Sequence, residues 1–195
     1  MTADTDTDTD TDTDTDTDTG TGTGTGIRIR GVSTADWDAV AALEAAEYGP
    51  RGLSEGRTAL ESRGGASPST CFTLHHEHRL AGYLLAFPYP PDRCPDLLRP
   101  QRTVHRSDNL HLHDIVVAED LRGRGYGRTL LHHLSATARA AGYRRISLVA
   151  VSGMDTFWAA HGYRPRTGVT PPPHYGGDAV YMSKPIRKGH PHGAQ

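Results

Sequence analysis

Hydrophobic and polar residues follow two periodicities along the chain, and each predicts a different kind of element. Positions 27–30 alternate, which indicates a short strand, whereas apolar residues in 37–48 recur at helical spacing behind a Ser33 cap. The same reasoning predicts a weaker helix 53–62, hairpin strands 71–75 and 80–87, strand 110–117, helix 126–141, strand 145–151, helix 154–161 and strand 179–184. This order is typical of a single mixed α/β domain.

The two ends of the chain lack the apolar residues that a folded domain buries. Residues 1–26 repeat Thr-Asp and then Thr-Gly, which predicts a disordered tail, and residues 187–195 are expected to be flexible. The folded domain is therefore expected to span 27–186. Within it, residues 88–108 are rich in proline and charge, which predicts a long loop of the kind that often carries function.

The charge of the chain is unevenly distributed. The net charge is −2, from 21 basic and 23 acidic residues, but eight of the aspartates lie in the N-terminal repeat. From residue 27 onwards, 21 basic residues stand against 15 acidic ones, a net charge of +6. A mildly basic domain suits an anionic cofactor, but its charges are too dispersed to predict a nucleic-acid partner.

The sequence shows no pattern typical of secretion, membrane insertion or metal binding. Cys71 and Cys94 do not form a disulfide framework, and no apolar run reaches the length of about 18 residues that a membrane span needs. These features predict a soluble, cytoplasmic protein with no membrane partner. His75, His76 and His78 surround the predicted hairpin turn without a cysteine pair, so no metal site is expected there.

A glycine-rich turn joins the strand 110–117 to the longest helix. Residues 122–128 read Arg-Gly-Arg-Gly-Tyr-Gly-Arg. Glycines let the main chain approach a ligand closely, and the free N–H groups at a helix start attract anions. The turn lacks the lysine of a Walker loop and the spacing of a dinucleotide fingerprint. An anion site suited to pyrophosphate is therefore predicted, with an ordinary tight turn as the alternative.

Two segments together resemble the GNAT acetyltransferases. Arg122-x-x-Gly125-x-Gly127 is similar to the Arg/Gln-x-x-Gly-x-Gly/Ala signature of that superfamily. The segment from Phe157 to Tyr163 resembles a second conserved segment of the superfamily, a helix with the pattern Phe-Tyr-x-x-x-Gly-Phe and the strand that follows it. The resemblance implies a central, mostly antiparallel mixed sheet flanked by helices, with acetyl-CoA as co-substrate and no metal. It also implies that the turn binds the pyrophosphate of CoA and that the preceding strand pairs with the pantetheine arm.

The resemblance thereby assigns cofactor-binding roles along the turn, the preceding strand and the second conserved helix. The residues expected to bind the cofactor are Ile115, Val116, Val117, Arg122, Gly123, Arg124, Gly125, Tyr126, Gly127, Arg128 and Trp158. Trp158 stands where the superfamily often has a tyrosine that protonates the leaving thiolate. An indole cannot supply that proton, and Ser152, Tyr163 and Tyr175 remain open as sources.

Two histidines precede the turn, and they are the candidate catalytic residues. Side chains alternate across a strand, so His111 and His113 are expected to share a face with Ile115 and Val117, with Asp114 opposite unless a bulge intervenes. The unperturbed pKa of histidine, about 6.5, suits a base that takes a proton from an amine. The stretch also resembles arylalkylamine N-acetyltransferases, in which such a histidine pair relays the proton.

The sequence therefore predicts transfer of an acetyl group from acetyl-CoA to a primary amine of a small molecule, by direct attack. Two alternatives stay open: a protein acetyltransferase acting on an N-terminus or a lysine, and a non-catalytic sensor of acetyl-CoA. A homodimer is also left open.

Overall fold

The computed structural model describes residues 26–186, so the predictions for residues 1–25 and 187–195 lie outside the described part of the chain. The strands are β1 (Ile27–Gly31), β2 (Phe72–His76), β3 (Arg79–Pro88), β4 (Asn109–Val117), β5 (Arg145–Ala150), β6 (Arg164–Pro165) and β7 (Val180–Pro185). The α-helices are α1 (Trp37–Tyr48), α2 (Arg57–Ala66), α3 (Tyr126–Ala140) and α4 (Asp155–Ala160). Gly26, placed in the tail by the sequence, accepts a hydrogen bond from the Glu77 N–H at 2.8 Å.

The strands form one seven-stranded sheet in the order β1-β2-β3-β4-β5-β7-β6. Every neighbouring pair is antiparallel except β4 and β5, which run parallel. The predicted mixed, mostly antiparallel sheet is thus confirmed. Two local predictions were wrong: α2 begins four residues later, after Gly56 with a positive φ of 76°, and β6 was missed because two residues show no periodicity.

Two apolar clusters lie on opposite faces of the sheet and fix where the helices pack. On one face, the leucines of α3 (Leu130, Leu131 and Leu134) pack with Trp158 of α4 in what is here named the α3 cluster. On the other face, the α1 residues Trp37 and Val40 and the α2 residue Leu60 form the α1–α2 cluster. The flanking helices predicted from the sequence therefore cover both faces of the sheet.

β4 and β5 are paired only where they begin. Their register joins residues 109–111 to residues 145–147, and beyond these positions the two strands separate. The second half of β4 keeps its other partner, β3, as far as Val117. The separation opens a cleft through the middle of the sheet and leaves one edge of β4 unpaired along the cleft.

A β-bulge interrupts β4 at His113. Leu85 of β3 lies opposite Asp114, whereas the next residue, Ala86, lies opposite Leu112, so His113 is the extra residue. The prediction that both histidines share a face with Ile115 and Val117 was therefore wrong. Ile115 and Val117 pack against the α3 cluster, whereas Val116 belongs to the α1–α2 cluster. The bulge brings Asp114 to the same side as the histidines.

Candidate active site

The cleft between the separated strands holds a cavity of about 560 Å³. Its walls come from the end of α1, the second half of β4, the glycine turn, the start of α3, the end of β5 and α4. Ten of the eleven residues predicted to bind the cofactor line it: Ile115, Val116, Val117, Arg122, Gly123, Gly125, Tyr126, Gly127, Arg128 and Trp158. Arg124 is not among its lining residues. The binding roles of all eleven remain predictions.

The glycine turn presents main-chain donors to the cleft. Gly123 and Gly125 have φ values of +78° and +83°, which a residue with a side chain rarely adopts. Gly125 is also the residue that precedes α3, so the turn delivers the first N–H groups of a fifteen-residue helix to the cavity. The N-terminus of a helix carries the positive end of its dipole and favours an anionic group, in line with the pyrophosphate site that the sequence predicts.

The open edge of β4 offers a second set of main-chain groups. The Ala118 N–H donates to Ala81 of β3 at 2.9 Å. Because main-chain groups alternate along an antiparallel strand, Val117 and Ile115 direct theirs the other way, towards the cleft. Arg122 Nε already donates to the Val117 carbonyl at 3.2 Å. An extended ligand with amide groups could pair with the remaining positions.

A carboxylate from α1 contacts the arginines of the cleft. Glu47 accepts a hydrogen bond from Arg51 Nη1 at 2.8 Å and a second, shorter one from Arg122 Nη2. All three residues line the cavity. Sequence reasoning did not select Arg51 or Glu47. Glu47 therefore occupies guanidinium groups that an anionic ligand would otherwise contact.

His113 lies between the cleft and a buried glutamate. Its Nε2 lies 2.5 Å from Glu55 Oε1, and its side chain is only 2% exposed. Burial alone raises the pKa of Glu55, but His113 and Arg63 outweigh that effect and the pKa is lowered, so the carboxylate is ionised near neutral pH. An ionised carboxylate accepts the Nε2 proton. His113 Nδ1, which has no hydrogen-bond partner, is then the basic nitrogen.

Arg63 ties this pair to the long loop predicted at 88–108. The guanidinium is fully buried and pairs with Glu55, with Nε at 2.9 Å from Oε2. Its Nη2 also donates to the carbonyl of Asp96 at 3.0 Å and to that of Arg99 at 3.4 Å. One side chain thus holds both the carboxylate behind His113 and the loop beside it.

His111 occupies a different setting from His113. It is buried, its Nδ1 lies 3.1 Å from Ser147 Oγ, and it does not line the cavity. Burial, and to a lesser extent His113 and Arg63, lowers its pKa well below the usual value, so the ring is neutral. The two imidazole rings are 6.3 Å apart between centroids. The relay role predicted for His111 remains untested.

Asp114 contributes a carboxyl group on the α1–α2 side of the cleft. It accepts a hydrogen bond from the Tyr48 hydroxyl at 2.7 Å and a shorter one from the Tyr83 hydroxyl. Burial raises the pKa of Asp114 to about 6, against the opposing effect of these bonds and of His113. Its charge therefore changes near the physiological range.

The three hydroxyls considered as proton donors lie in different places. Ser152 lines the cleft, whereas Tyr163 belongs to the α3 cluster and its buried hydroxyl has no partner. The Tyr175 hydroxyl donates to the Pro95 carbonyl at 2.8 Å. Trp158 lines the cleft and packs edge-on against Tyr163. Of the three, only Ser152 is placed to reach a leaving group in the cleft.

A smaller cavity of about 60 Å³ adjoins the cleft, and it is here named the side chamber. Five residues line both spaces: Tyr48, His113, Asp114, Val149 and Val151. The remaining walls of the side chamber are Glu44, Leu53, Glu55, Leu97 and Tyr175. Three carboxyl groups, from α1, from the segment before α2 and from β4, therefore meet beside His113.

Sequence reasoning missed Glu44, Glu55 and Arg63, although two of them carried a signal. Glu44 follows Val40 by four residues on α1, and Arg63 follows Leu60 by three on α2, so both lie on apolar stripes. A charged residue at a core position needs a partner, which marks it for attention. Glu55 precedes its helix and gave no such signal.

The described residues 26–186 contain neither a metal-binding cluster nor a membrane-spanning helix. No group of three or more histidine, cysteine or acidic side chains there is arranged to hold a metal ion. In the same range, no helix combines the length and the apolar character needed to cross a bilayer.

Together, an open strand edge and a glycine-rich helix start define an α/β domain built to bind an extended anionic ligand in the middle of its sheet. The family model described as "Acetyltransferase (GNAT) family" matches residues 37–163, about two thirds of the chain. The protein therefore belongs to the GNAT acetyltransferase family.

Individual relatives agree with this assignment. The chain is 38% identical over 85 residues to N-alpha-acetyltransferase 80 of Mus musculus, a match covering 42% of this chain and 27% of the mouse protein. It therefore spans only about a quarter of that relative's length. The resemblance to arylalkylamine N-acetyltransferases remains a prediction.

Solved structures share the fold at low sequence identity. Ard1 from Thermoplasma volcanium has a TM-score of 0.65 at 16% identity, covering 83% of this chain and 99% of its own. GphF, a GNAT-like decarboxylase in complex with isobutyryl-CoA, has a TM-score of 0.67 at 22% identity, covering 82% and 100%. At these identities the likeness establishes the fold alone.

Proposed function

We propose that the protein transfers the acetyl group of acetyl-CoA to a primary amine of a small molecule. The observation that carries the proposal is His113, which lines the cleft with an unpartnered Nδ1 and an ionised glutamate on its Nε2. A buried base with a fixed tautomer is what amine acetylation needs, because an alkylamine is protonated and unreactive near neutral pH. We expect the co-substrate to bind in the cleft, and a protein of the same fold, GphF, is known in complex with isobutyryl-CoA.

The reaction follows from this arrangement without a covalent enzyme intermediate. His113 Nδ1 takes one proton from the acceptor ammonium, and Glu55 stabilises the imidazolium that forms. The neutral amine attacks the thioester carbonyl carbon, and the carbon–sulfur bond breaks as the amide forms. The departing thiolate takes the second amine proton, directly or through water. Because the thiol pKa resembles that of cysteine, about 8.5, the thiolate can leave without a dedicated acid.

The cleft residues would hold acetyl-CoA by groups that suit its parts. The start of α3, Arg122 and Arg128 would face the pyrophosphate, and the open edge of β4 would pair with the amides of the pantetheine arm. Trp158 offers an apolar surface to the same arm. In this proposal His111 supports His113 through packing rather than by touching the substrate.

A protein acceptor is the second candidate, favoured by the name of the mouse relative, an N-alpha-acetyltransferase. Its amine would be the N-terminus or a lysine of another protein. The small volume of the side chamber, about 60 Å³, favours a small molecule instead. Membership of an acetyltransferase family speaks against the non-catalytic sensor.

The test is CoA release from acetyl-CoA, read with a thiol-reactive dye over a panel of alkylamines, arylalkylamines, polyamines, amino acids and peptides. We expect release with one class of small amine. Release with peptides alone would select the protein acceptor. Thermal stabilisation by acetyl-CoA without release from any acceptor would overturn the proposal.

A substitution tests the base itself. We expect His113→Ala to lower kcat by about 10²–10⁴-fold and to remove the limb of the pH profile in which a base titrates. His111→Ala, measured beside it, shows whether the second histidine takes part. An unchanged rate across pH for His113→Ala would remove His113 from the mechanism.

A further inference from the structure

The side chamber combines a small volume with an excess of negative charge. Its acidic walls are Glu44, Glu55 and Asp114, and no lysine or arginine is among the described residues that line it. The charge of Glu55 is offset by Arg63 behind it, whereas Glu44 has no lysine or arginine among its hydrogen-bond partners in the described part of the chain. A cation entering the chamber therefore meets uncompensated negative charge at low dielectric.

Glu44 is built into the chamber rather than displayed at a surface. The residue is 1% exposed, and its carboxylate accepts bonds from Ser54 Oγ and the Glu55 N–H, each at 2.6 Å. A carboxylate can accept about four hydrogen bonds, so two of these positions remain for a ligand. The Ser54 and Glu55 contacts fix its direction while leaving it able to bind an ammonium group.

The unpartnered nitrogen of His113 is the second, independent indication of a ligand. His113 is buried and lines the chamber as well as the cleft, and its Nδ1 has no hydrogen-bond partner in the protein. Buried polar atoms are rarely left without a partner. An amine in the chamber would supply one, in the position from which the proposed base must take its proton.

The size of the chamber limits what can enter. Its volume of about 60 Å³ is roughly a tenth of the 560 Å³ of the cleft. That space suits a nitrogen on an unbranched methylene group, and the apolar side chains of Leu53, Leu97 and Val149 match the methylene. A carboxylate on the carbon next to the amine would face the carboxyl groups of Glu44 and Asp114.

Resting on the function proposed above, we infer that Glu44 is a specificity-determining residue. With the side chamber, it selects acceptors whose amine ends an unbranched alkyl chain and rejects amines with a neighbouring carboxylate. The acceptor class is thus a cationic alkylamine rather than an α-amino acid.

The experiment compares three acceptors that differ only beside the amine: pentylamine, norleucinamide and norleucine. We expect kcat/KM to fall at each step, first from branching and then from the added negative charge. In Glu44→Gln, the KM for pentylamine should rise on the order of tenfold, as expected for one lost charge-assisted hydrogen bond, with the KM for acetyl-CoA unchanged. The preference for norleucinamide over norleucine should shrink in the same variant.

A second pair of variants tests the chamber without touching a charge. Leu97 lines the chamber, whereas its neighbour Leu98 is 76% exposed. Leu97→Phe should fill the space and abolish turnover of pentylamine while leaving acetyl-CoA binding intact, and Leu98→Phe should change neither.

The outcomes separate this inference from the proposed function. Equal kcat/KM for pentylamine and norleucine, or pentylamine kinetics that neither Glu44→Gln nor Leu97→Phe alters, would overturn the inference and leave the acetyltransferase proposal standing. No CoA release with any amine, despite bound acetyl-CoA, would overturn the proposed function and the inference with it.

Discussion

Replacing Glu55 by glutamine tests the pairing that makes His113 a base. The change keeps the shape of the side chain but removes the negative charge 2.5 Å from Nε2. The imidazolium formed during proton transfer then loses a charge-assisted hydrogen bond, worth about 1.5–3 kcal/mol. At 1.36 kcal/mol per tenfold in rate, kcat should fall by roughly 10- to 150-fold.

The assay is CoA release at saturating acetyl-CoA between pH 6 and pH 9, with Glu61→Gln as the matched control. Glu61 is an α2 glutamate whose side chain is 40% exposed and paired with Arg57, so its loss should leave kcat unchanged. Glu55→Gln also leaves Arg63 without its carboxylate, and breaking a buried pair costs about 3–5 kcal/mol. Thermal unfolding therefore has to show that the variant is folded at the assay temperature.

One result would refute the reasoning directly. If folded Glu55→Gln keeps the wild-type kcat across this pH range, the carboxylate does not stabilise the protonated base. His113 would then act without it, or another group would take the proton.

Three further predictions concern affinity and stability. In Glu47→Gln, Arg122 becomes free for the cofactor, so titration calorimetry should show acetyl-CoA binding about two- to fivefold tighter, the range of an exposed ion pair; weaker binding would contradict this. Because the pKa of Asp114 is raised to about 6, above its unfolded value of about 3.9, the native state retains a proton between these values. The free energy of unfolding should therefore fall by up to about 3 kcal/mol from pH 4 to pH 7; urea titrations of Asp114→Asn should lack this slope, and an equal slope would exclude Asp114. Gly82→Ala would place a Cβ 2.6 Å from the Val116 carbonyl oxygen, so urea unfolding should show a loss of about 1–3 kcal/mol, and a loss below about 0.5 kcal/mol would be inconsistent with that contact.

The fold was predictable because its main elements carry strong periodicity. The apolar stripe of α3, the continuous apolar run of β3 and the alternation of leucine and histidine from Leu110 in β4 are visible in the sequence, and Gly125 marks where the helix begins. The glycine turn was also predictable, since its chemistry depends on consecutive residues.

The acceptor side of the site was largely beyond the reach of sequence. Glu55 and His113 are 58 residues apart, and only the packing of the segment before α2 against β4 brings them together. The bulge in β4 is defined by its pairing with β3, and the sequence of β4 alone does not reveal that pairing. Glu44 reads as one charged residue in a helix until its buried position is known.

A strand usually supplies its packing residues and its chemically active residues from one alternating pattern, and the bulge at His113 separates these two roles. Without His113, the apolar side chains of β4, from Leu110 and Leu112 to Ile115 and Val117, would alternate in one unbroken phase against α3. Position 113 therefore does not belong to the alternating apolar pattern through which β4 packs in the sheet. It can be occupied by a residue chosen for chemistry, since changing that residue does not shift the phase of its neighbours.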